Sequence, residues 1–277
     1  MVTLSAFADE ISADLGEQLA VLKQHNIKYM ELRSVWNKNV KDFTDSEVET
    51  IKQALKEAGI GVSAIGSPLG KIGINDDFEQ HLADLRRIIE IAKQLEAPYI
   101  RIFSFYIPEG EKAEDYREKV LDRMRTMVAV AKMEAPEIKL LHENEKGIYG
   151  DTAARCLDLM ENIKEDNFAA IFDPANFVQI GQKPFEDCFP LLKPHIRYMH
   201  IKDAHLADGK VVPAGEGDGG IPNILSELHK SGFSGFLSLE PHLVVAGKSH
   251  GFTGPESFGV AVSALKGVLD KIGVSYS

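Results

Sequence analysis

"ADEISAD", residues 8–14, follows the first strand-like run of the chain, "VTLSAF" (2–7), and contains no glycine. An open, doubly wound nucleotide-binding sheet is expected to carry G-x-G-x-x-G at this first strand-to-helix turn, where a pyrophosphate must approach the backbone. Without it, a chain that alternates strands and helices is predicted to close its sheet into a barrel.

The alternation is legible along the whole chain. Seven more β-rich runs follow: "KYMEL" (28–32), "GVSAIG" (61–66), "YIRIFS" (99–104), "IKLLHE" (138–143), "FAAIFD" (168–173), "IRYMHI" (196–201) and "FLSLE" (236–240). Between them apolar residues recur at spacings of three and four, as in Phe78, Leu82, Leu85, Ile89, Ala92 and Leu95, or Phe258, Val262, Leu265, Leu269 and Ile272. "TDSE" offers Thr44 or Asp45 as a helix cap, and Gly59 stands where a left-handed residue ends that helix. Strict alternation implies a parallel sheet with right-handed crossovers, and eight strands match an α/β (β/α)8 TIM barrel. The length, 277 residues, is close to the roughly 250 typical of that fold, and no linker interrupts it, so residues 1–277 are predicted to form a single TIM-barrel domain. "GEGDGG" (215–220) is rich in glycine, but it follows the seventh strand and holds two acids, which makes it a weak phosphate cradle.

Composition narrows the partners. With 44% hydrophobic and 26% charged residues the chain can bury a large core, and its formal net charge of −11 comes without a basic stripe. Affinity for a polyanion rests on neutralising phosphates, so no nucleic acid and no membrane surface are expected as partners. Cys156 and Cys188 lack CxxC spacing and suit a reducing compartment. The N-terminus lacks the pattern of a secretory signal and no run of 18 apolar residues occurs, so a cytoplasmic location is expected. A homo-oligomer is compatible with all of this, although no interface can be read.

In a TIM barrel, catalytic groups stand at the C-terminal ends of strands. Strands five to eight end on Glu143, Asp173, His200 and Glu240. Three carboxylates converging on one rim repel strongly unless a cation or protons intervene, and a divalent ion resolves that repulsion. Three carboxylates and one imidazole form a mostly hard ligand set, which suits one divalent metal ion: Mn²⁺ first, with Mg²⁺, Co²⁺, Zn²⁺ or Fe²⁺ compatible. Taken singly, each residue has a plainer reading: a rim salt bridge for the glutamates, a turn former for Asp173 before Pro174, a core histidine for His200.

"HEN" at strand five, "FDPAN" at strand six, "MHIKD" at strand seven and "LSLEPH" at strand eight, in that order, make the whole chain resemble the xylose-isomerase-like TIM barrels. This is the sugar phosphate isomerase/epimerase superfamily, which includes ketose 3-epimerases, inosose dehydratases, hydroxypyruvate isomerases and endonuclease IV. The resemblance implies that Glu143, Asp173, His200 and Glu240 bind the metal and that Glu143 and Glu240 also serve as the acid/base pair. It places Asn176 where a substrate-contacting residue, often histidine, is found in the family; asparagine there departs from the ketose epimerases.

The chemistry implied is proton transfer next to the carbonyl of a small-molecule sugar or keto-sugar, through an enediolate that the metal stabilises. Return of the proton gives an isomerase or epimerase; loss of hydroxide from the same intermediate gives a dehydratase or lyase on a keto-sugar or inosose. Lys202, two residues beyond His200 and so on the same strand face, Arg101 in strand four and His242 and His250 in the loop "PHLVVAGKSHGFTGPESF" are candidate substrate contacts. Glu31, Arg33 and Arg101 are expected to pair with one another, and His142, of opposite parity to Glu143, to face the helix layer or rim. Phe7, Trp36, Phe105, Tyr106 and Phe177 could wall the site. Lys210 and Lys248 could meet a phosphate, but Asp208, Glu216 and Asp218 lie beside Lys210 in sequence, and a non-phosphorylated sugar is expected. A zinc endonuclease would call for more histidines on the rim, a glycosidase would need only the two glutamates, and a non-catalytic sugar binder has no need of three clustered carboxylates.

Overall fold

A computed structural model describes residues 1–243 and 253–277. Eight parallel strands run consecutively around one sheet: β1 (Thr3–Ala6), β2 (Tyr29–Leu32), β3 (Gly61–Ile65), β4 (Tyr99–Ile102), β5 (Lys139–Glu143), β6 (Phe168–Phe172), β7 (Ile196–Ile201) and β8 (Phe236–Leu239). The first strand pairs with the last, Thr3 opposite Phe236, and a bridge between Phe7 and Glu31 draws β1 to β2. The sheet is a nearly closed TIM barrel, as the glycine-free first turn predicts.

Helices α1 (Leu15–Gln24), α2 (Asp45–Ala58), α3 (Phe78–Gln94), α4 (Arg117–Glu134) and α5 (Ala153–Asn162) follow the first five strands. After β6 the chain departs from the expected pattern of one covering helix per strand. It makes a short α6 (Pro174–Val178), a π turn at Pro184–Cys188 and a short α7 (Phe189–Leu192). Prolines at 174, 184, 190 and 194 remove backbone donors and restart the helix each time. Helices α8 (Ile221–Lys230) and α9 (Gly254–Lys271) complete the ring, so the end of the loop expected after β8 is already helical. The predicted cap of α2 forms as a capping box between Thr44 and Glu47, closed by Gly59 at φ 67°.

Alternation along each strand builds two cores. One set of side chains packs between sheet and helices; the other, with Leu141, Ala169, Ile171 and Tyr198, fills the barrel interior. Two residues beyond an inward side chain the next one also points inward. Leu141 therefore leads to Glu143, Ile171 to Asp173 and Tyr198 to His200, which lifts the polar residues onto a greasy plug at the C-terminal rim. Of the residues expected to wall the site, Phe7, Phe105 and Phe177 are fully buried, whereas Trp36 sits at a hairpin tip with Tyr106 similarly half exposed. Cys156 and Cys188 are buried free thiols.

Candidate metal centre and active site

Glu143, Asp173, His200 and Glu240 meet at this rim, all buried, with one ligand atom from each lying within 4.8 Å of the others. His200 anchors the group. Its Nδ1 lies 3.0 Å from Glu143 Oε1, 3.8 Å from Glu240 Oε2 and 3.9 Å from Asp173 Oδ2. Its Nε2 lies 3.2 Å from Glu31 Oε2. A proton on Nε2 donated to Glu31 leaves the Nδ1 lone pair aimed at the carboxylates, the arrangement by which an outer carboxylate orients a metal-binding imidazole.

Three polar atoms of the cluster, Glu143 Oε2, Asp173 Oδ2 and His200 Nδ1, are buried without a well-directed hydrogen bond. Their near neighbours are charges, with Arg101 3.2 Å from Glu143 Oε2, Lys202 2.8 Å from Asp173 Oδ2 and Glu143 Oε1 3.0 Å from His200 Nδ1, and three buried carboxylates gathered around one imidazole fit a shared cation. The residues thus suit one divalent ion. The charges of the cluster also balance one another, through His200, Lys202 and the three carboxylates. Burial opposes a charged His200, but Glu143 and Glu31 outweigh it and raise the imidazole to about 10. Burial also pushes Asp173 up, with Lys202 opposing and Glu143 and Glu240 reinforcing the shift.

Each of the four side chains is held by its own partners. Asp173 caps α6, accepting the Asn176 N–H at 2.9 Å, and its backbone is clamped from both sides by the Asn144 amide. Asn176 donates to Glu143 Oε1 at 3.2 Å and to the Asn144 carbonyl. Lys202 Nζ lies 2.8 Å from Asp173 Oδ2 and donates to Glu240 Oε2 at 3.0 Å. His242 Nε2 lies 3.2 Å from Glu240 Oε1, partly exposed at the mouth. His250 and Lys248 lie outside the described residues.

The expectation that Glu31, Arg33 and Arg101 pair mutually is corrected. Glu31 turns to His200. Arg101 reaches Glu143 Oε2 at 3.2 Å, and Arg33 divides its guanidinium among Asp9, Glu10 and Glu240 at 2.7–2.8 Å. Both guanidiniums lie over the Phe7 ring, at 4.5 and 5.0 Å from its centre, and the same ring meets His200 edge-on. The sequence reading missed Asp9, Glu10 and Asn144; "ADEISAD" and "HEN" contain them, but only barrel closure brings residues 9 and 10 to residue 240. His142 faces outward as expected, bonded to Ser104 Oγ at 2.9 Å.

The glycine-rich loop cradles an anion that belongs to the chain itself. Asp203 accepts backbone N–H bonds from Ala204, Gly215, Gly217 and Gly219 at 2.8–3.2 Å. A Cβ on Gly217 or Gly219 would come within 2.5 Å of Asp203 Oδ1.

Beside the cluster opens a cavity of ≈280 Å³, lined by Asn176, Arg101, Lys202 and His242 among others, so every candidate substrate contact among the described residues borders it. A larger hollow of ≈580 Å³ at the opposite rim, between Tyr99, Arg197 and Phe233, has no carboxylate or imidazole among its described lining residues.

A family model described as xylose isomerase-like TIM barrel matches residues 19–255. The chain belongs to the xylose isomerase-like TIM barrel family. Among solved structures, this xylose isomerase-like barrel is similar to a D-tagatose 3-epimerase-like protein (17% identity, 98% of each chain covered, TM-score 0.77). It is similar also to the probable 3-DHS dehydratase AsbF involved in petrobactin synthesis from Bacillus anthracis (18% identity, 96% of this chain and 99% of that one, TM-score 0.75). A third is the IOLI protein with a binding zinc atom (17% identity, 98% of each chain, TM-score 0.73). At these identities the likeness establishes the fold. No curated protein matches the chain by sequence. No helix among the described residues is long and apolar enough to cross a membrane.

Proposed function

We propose that residues 1–277 work as one domain and as a divalent-metal-dependent isomerase or epimerase of a sugar or keto-sugar. The observation that carries this reading is the buried cluster of Glu143, Asp173, His200 and Glu240, one ligand atom from each within 4.8 Å of the others, beside a small polar cavity. A divalent ion held by these residues would stabilise the charge that develops on the substrate oxygens as a proton leaves the carbon next to the carbonyl.

The chain's own residues supply the proton movement. Glu143 and Glu240 are both held ionised: burial opposes their charge, but His200 and Arg101 at Glu143, and Lys202 and His242 at Glu240, outweigh it. One glutamate can therefore accept the proton and, once protonated, return it to the neighbouring carbon; return to the opposite face needs a proton brought to the other glutamate, and His242, 3.2 Å from Glu240 Oε1, is placed to relay it. Arg33 and Arg101 fix the two carboxylates and themselves line the cavity, Asn176 and Lys202 border both the cavity and the cluster, and the apolar interior lies beneath. A dehydratase is the second reading, favoured by His242. Its imidazole is raised above its usual range because Glu240 overcomes burial, which provides a proton at the cavity mouth for a departing hydroxide.

The test is proton exchange in D₂O on ketoses, keto-glycosides and inososes, comparing metal-stripped protein with protein given Mn²⁺, read by NMR and mass spectrometry. Metal-dependent deuterium uptake without loss of water is the expected result, abolished in Glu143→Gln and Glu240→Gln; a loss of 18 mass units, that of water, marks the dehydratase. Turnover that persists in both variants would sink the proposal.

A further inference from the structure

The cavity beside the cluster is more basic than a neutral sugar requires. Arg33, Lys71, Arg101, Lys146 and Lys202 all line it. The carboxylates that line it are Glu143, Glu145 and Glu240. Arg101 and Arg33 are committed to Glu143 and Glu240. Lys202 holds Asp173 and Glu240, the two carboxylates that a bound ion would claim. With the ion in place, three ammonium groups, those of Lys71, Lys146 and Lys202, would face Glu145 as the remaining carboxylate among the described lining residues. The chain as a whole carries −11, so this local excess runs against its overall charge.

Lys71 and Lys146 are positioned rather than loose. Lys71 Nζ lies 4.3 Å above the Phe103 ring and 3.0 Å from Glu145 Oε2. Lys146 has no carboxylate within ion-pair distance among the described residues; its ammonium donates to the Gln179 amide oxygen at 2.7 Å, and Gln179 is itself oriented by donating to the Gly209 carbonyl. The loops that bear the two lysines are fixed to each other. Gly70 N–H donates to the buried His81 Nε2 at 2.9 Å, and a Cβ at Gly70 would lie 2.0 Å from the Phe103 carbonyl oxygen. Tyr106 bridges Gly73 on one loop and Ile148 on the other.

The geometry points to an anion subsite at the Lys71–Lys146 edge of this cavity, taking a carboxylate or a phosphate monoester on the substrate, which makes the substrate an acidic sugar derivative. This rests on the isomerase reading for the rest of the substrate. Lys146, whose ammonium meets an amide oxygen and no carboxylate among the described residues, and Lys71, which shares the single carboxylate of Glu145, gain a charged partner when such a ligand binds, and a neutral sugar offers none. The expectation of a non-phosphorylated substrate stays open under this inference, since both anions share the chemistry.

The test is calorimetric binding of D-glucuronate, glucose 6-phosphate and D-glucose to the Mg²⁺-loaded full chain and to its K71M/K146M double variant, with Mg²⁺ affinity measured on both to show that the metal centre survives. At least one acidic probe is expected to bind about tenfold or more tightly than glucose, a preference of roughly 1.4 kcal/mol, that weakens with salt and falls to about twofold in the double variant. Preference for glucuronate alone assigns a carboxylate, for glucose 6-phosphate alone a phosphate. No acidic probe holding more tightly than glucose, whether because none binds or because all bind alike, overturns the subsite, as does a preference that survives in K71M/K146M. Metal-dependent proton exchange on a neutral ketose alongside either result leaves the isomerase reading standing, so the two can fail separately.

Discussion

Glu31 sits one layer behind the ligands, and its contact with His200 Nε2 fixes which ring nitrogen faces the carboxylates. Glu31→Gln keeps a hydrogen-bonding group there but removes the charge that favours an Nε2 proton, and metal affinity is expected to fall about 10- to 100-fold, measured by calorimetric titration with Mn²⁺ or Zn²⁺. An unchanged affinity would mean that the imidazole is oriented by packing on Phe7 and Tyr198 alone. At this scale the four rim residues were legible because each ends an apolar run with the parity of the barrel interior. Glu31 has that parity too, but a glutamate followed by Arg33 reads equally well as a local ion pair, and nothing in the order of residues says that its partner is His200. Asp9 and Glu10 gave no signal at all, since their partner Arg33 is 24 and 23 residues away, beyond α1 and β2, and Glu240 lies near the far end.

The loop Gly215–Gly220 and the loop bearing Lys71 show how elements around the rim are pinned. Asp203 gathers four backbone N–H groups, and Gly217→Ala would thrust a methyl to 2.5 Å from its Oδ1 and 2.6 Å from the Ala204 carbonyl. A loss of about 1–3 kcal/mol is expected, read from urea unfolding; a neutral result would show that the loop yields freely. The Lys71 loop hangs on His81, which accepts the Gly70 N–H and so must be neutral. Burial lowers its pKa, with Asp84 opposing and Arg123 reinforcing the shift. The unfolded chain therefore takes up this proton first as pH falls. The stabilisation is fully present above the unfolded value near 6.5 and is lost as pH drops toward the folded one, at up to about 1.4 kcal/mol per pH unit. His81→Gln can still accept from Gly70 and does not titrate, so its stability is expected to fall less between pH 7 and 5. Equal acid sensitivity in both proteins would remove His81 from that role. Helix boundaries were legible where caps and apolar spacing agree, as at Thr44 and Gly59; the broken segment after β6 was not, because four prolines near a buried apolar run fit one kinked helix or several short ones equally well.

For the whole molecule, the metal is expected to act as a ligand of the folded state. Stabilisation grows with ion concentration, by about 2.7 kcal/mol at a hundredfold excess over the dissociation constant. Lys202→Met, which takes the ammonium from Asp173 and leaves Glu240 only Arg33 and His242, is expected to lower metal-free stability by about 3 kcal/mol and to enlarge the gain from added Mn²⁺. A melting temperature insensitive to both ion and substitution would argue against a cation site at the cluster. The sequence by itself determined the barrel and the rim residues that end its strands. Period-two alternation dictates which side chains enter the interior, and strict strand–helix order leaves few ways to close a sheet. Only the tertiary structure decided the pairing of charges: Arg33 with Asp9, Glu10 and Glu240, Lys202 with Asp173 and Glu240, Asp203 with the glycine loop. These contacts join residues up to 207 positions apart, and a side-chain pair exists only where closure of the sheet brings two strand ends within a few ångströms, a distance that order along the chain does not encode.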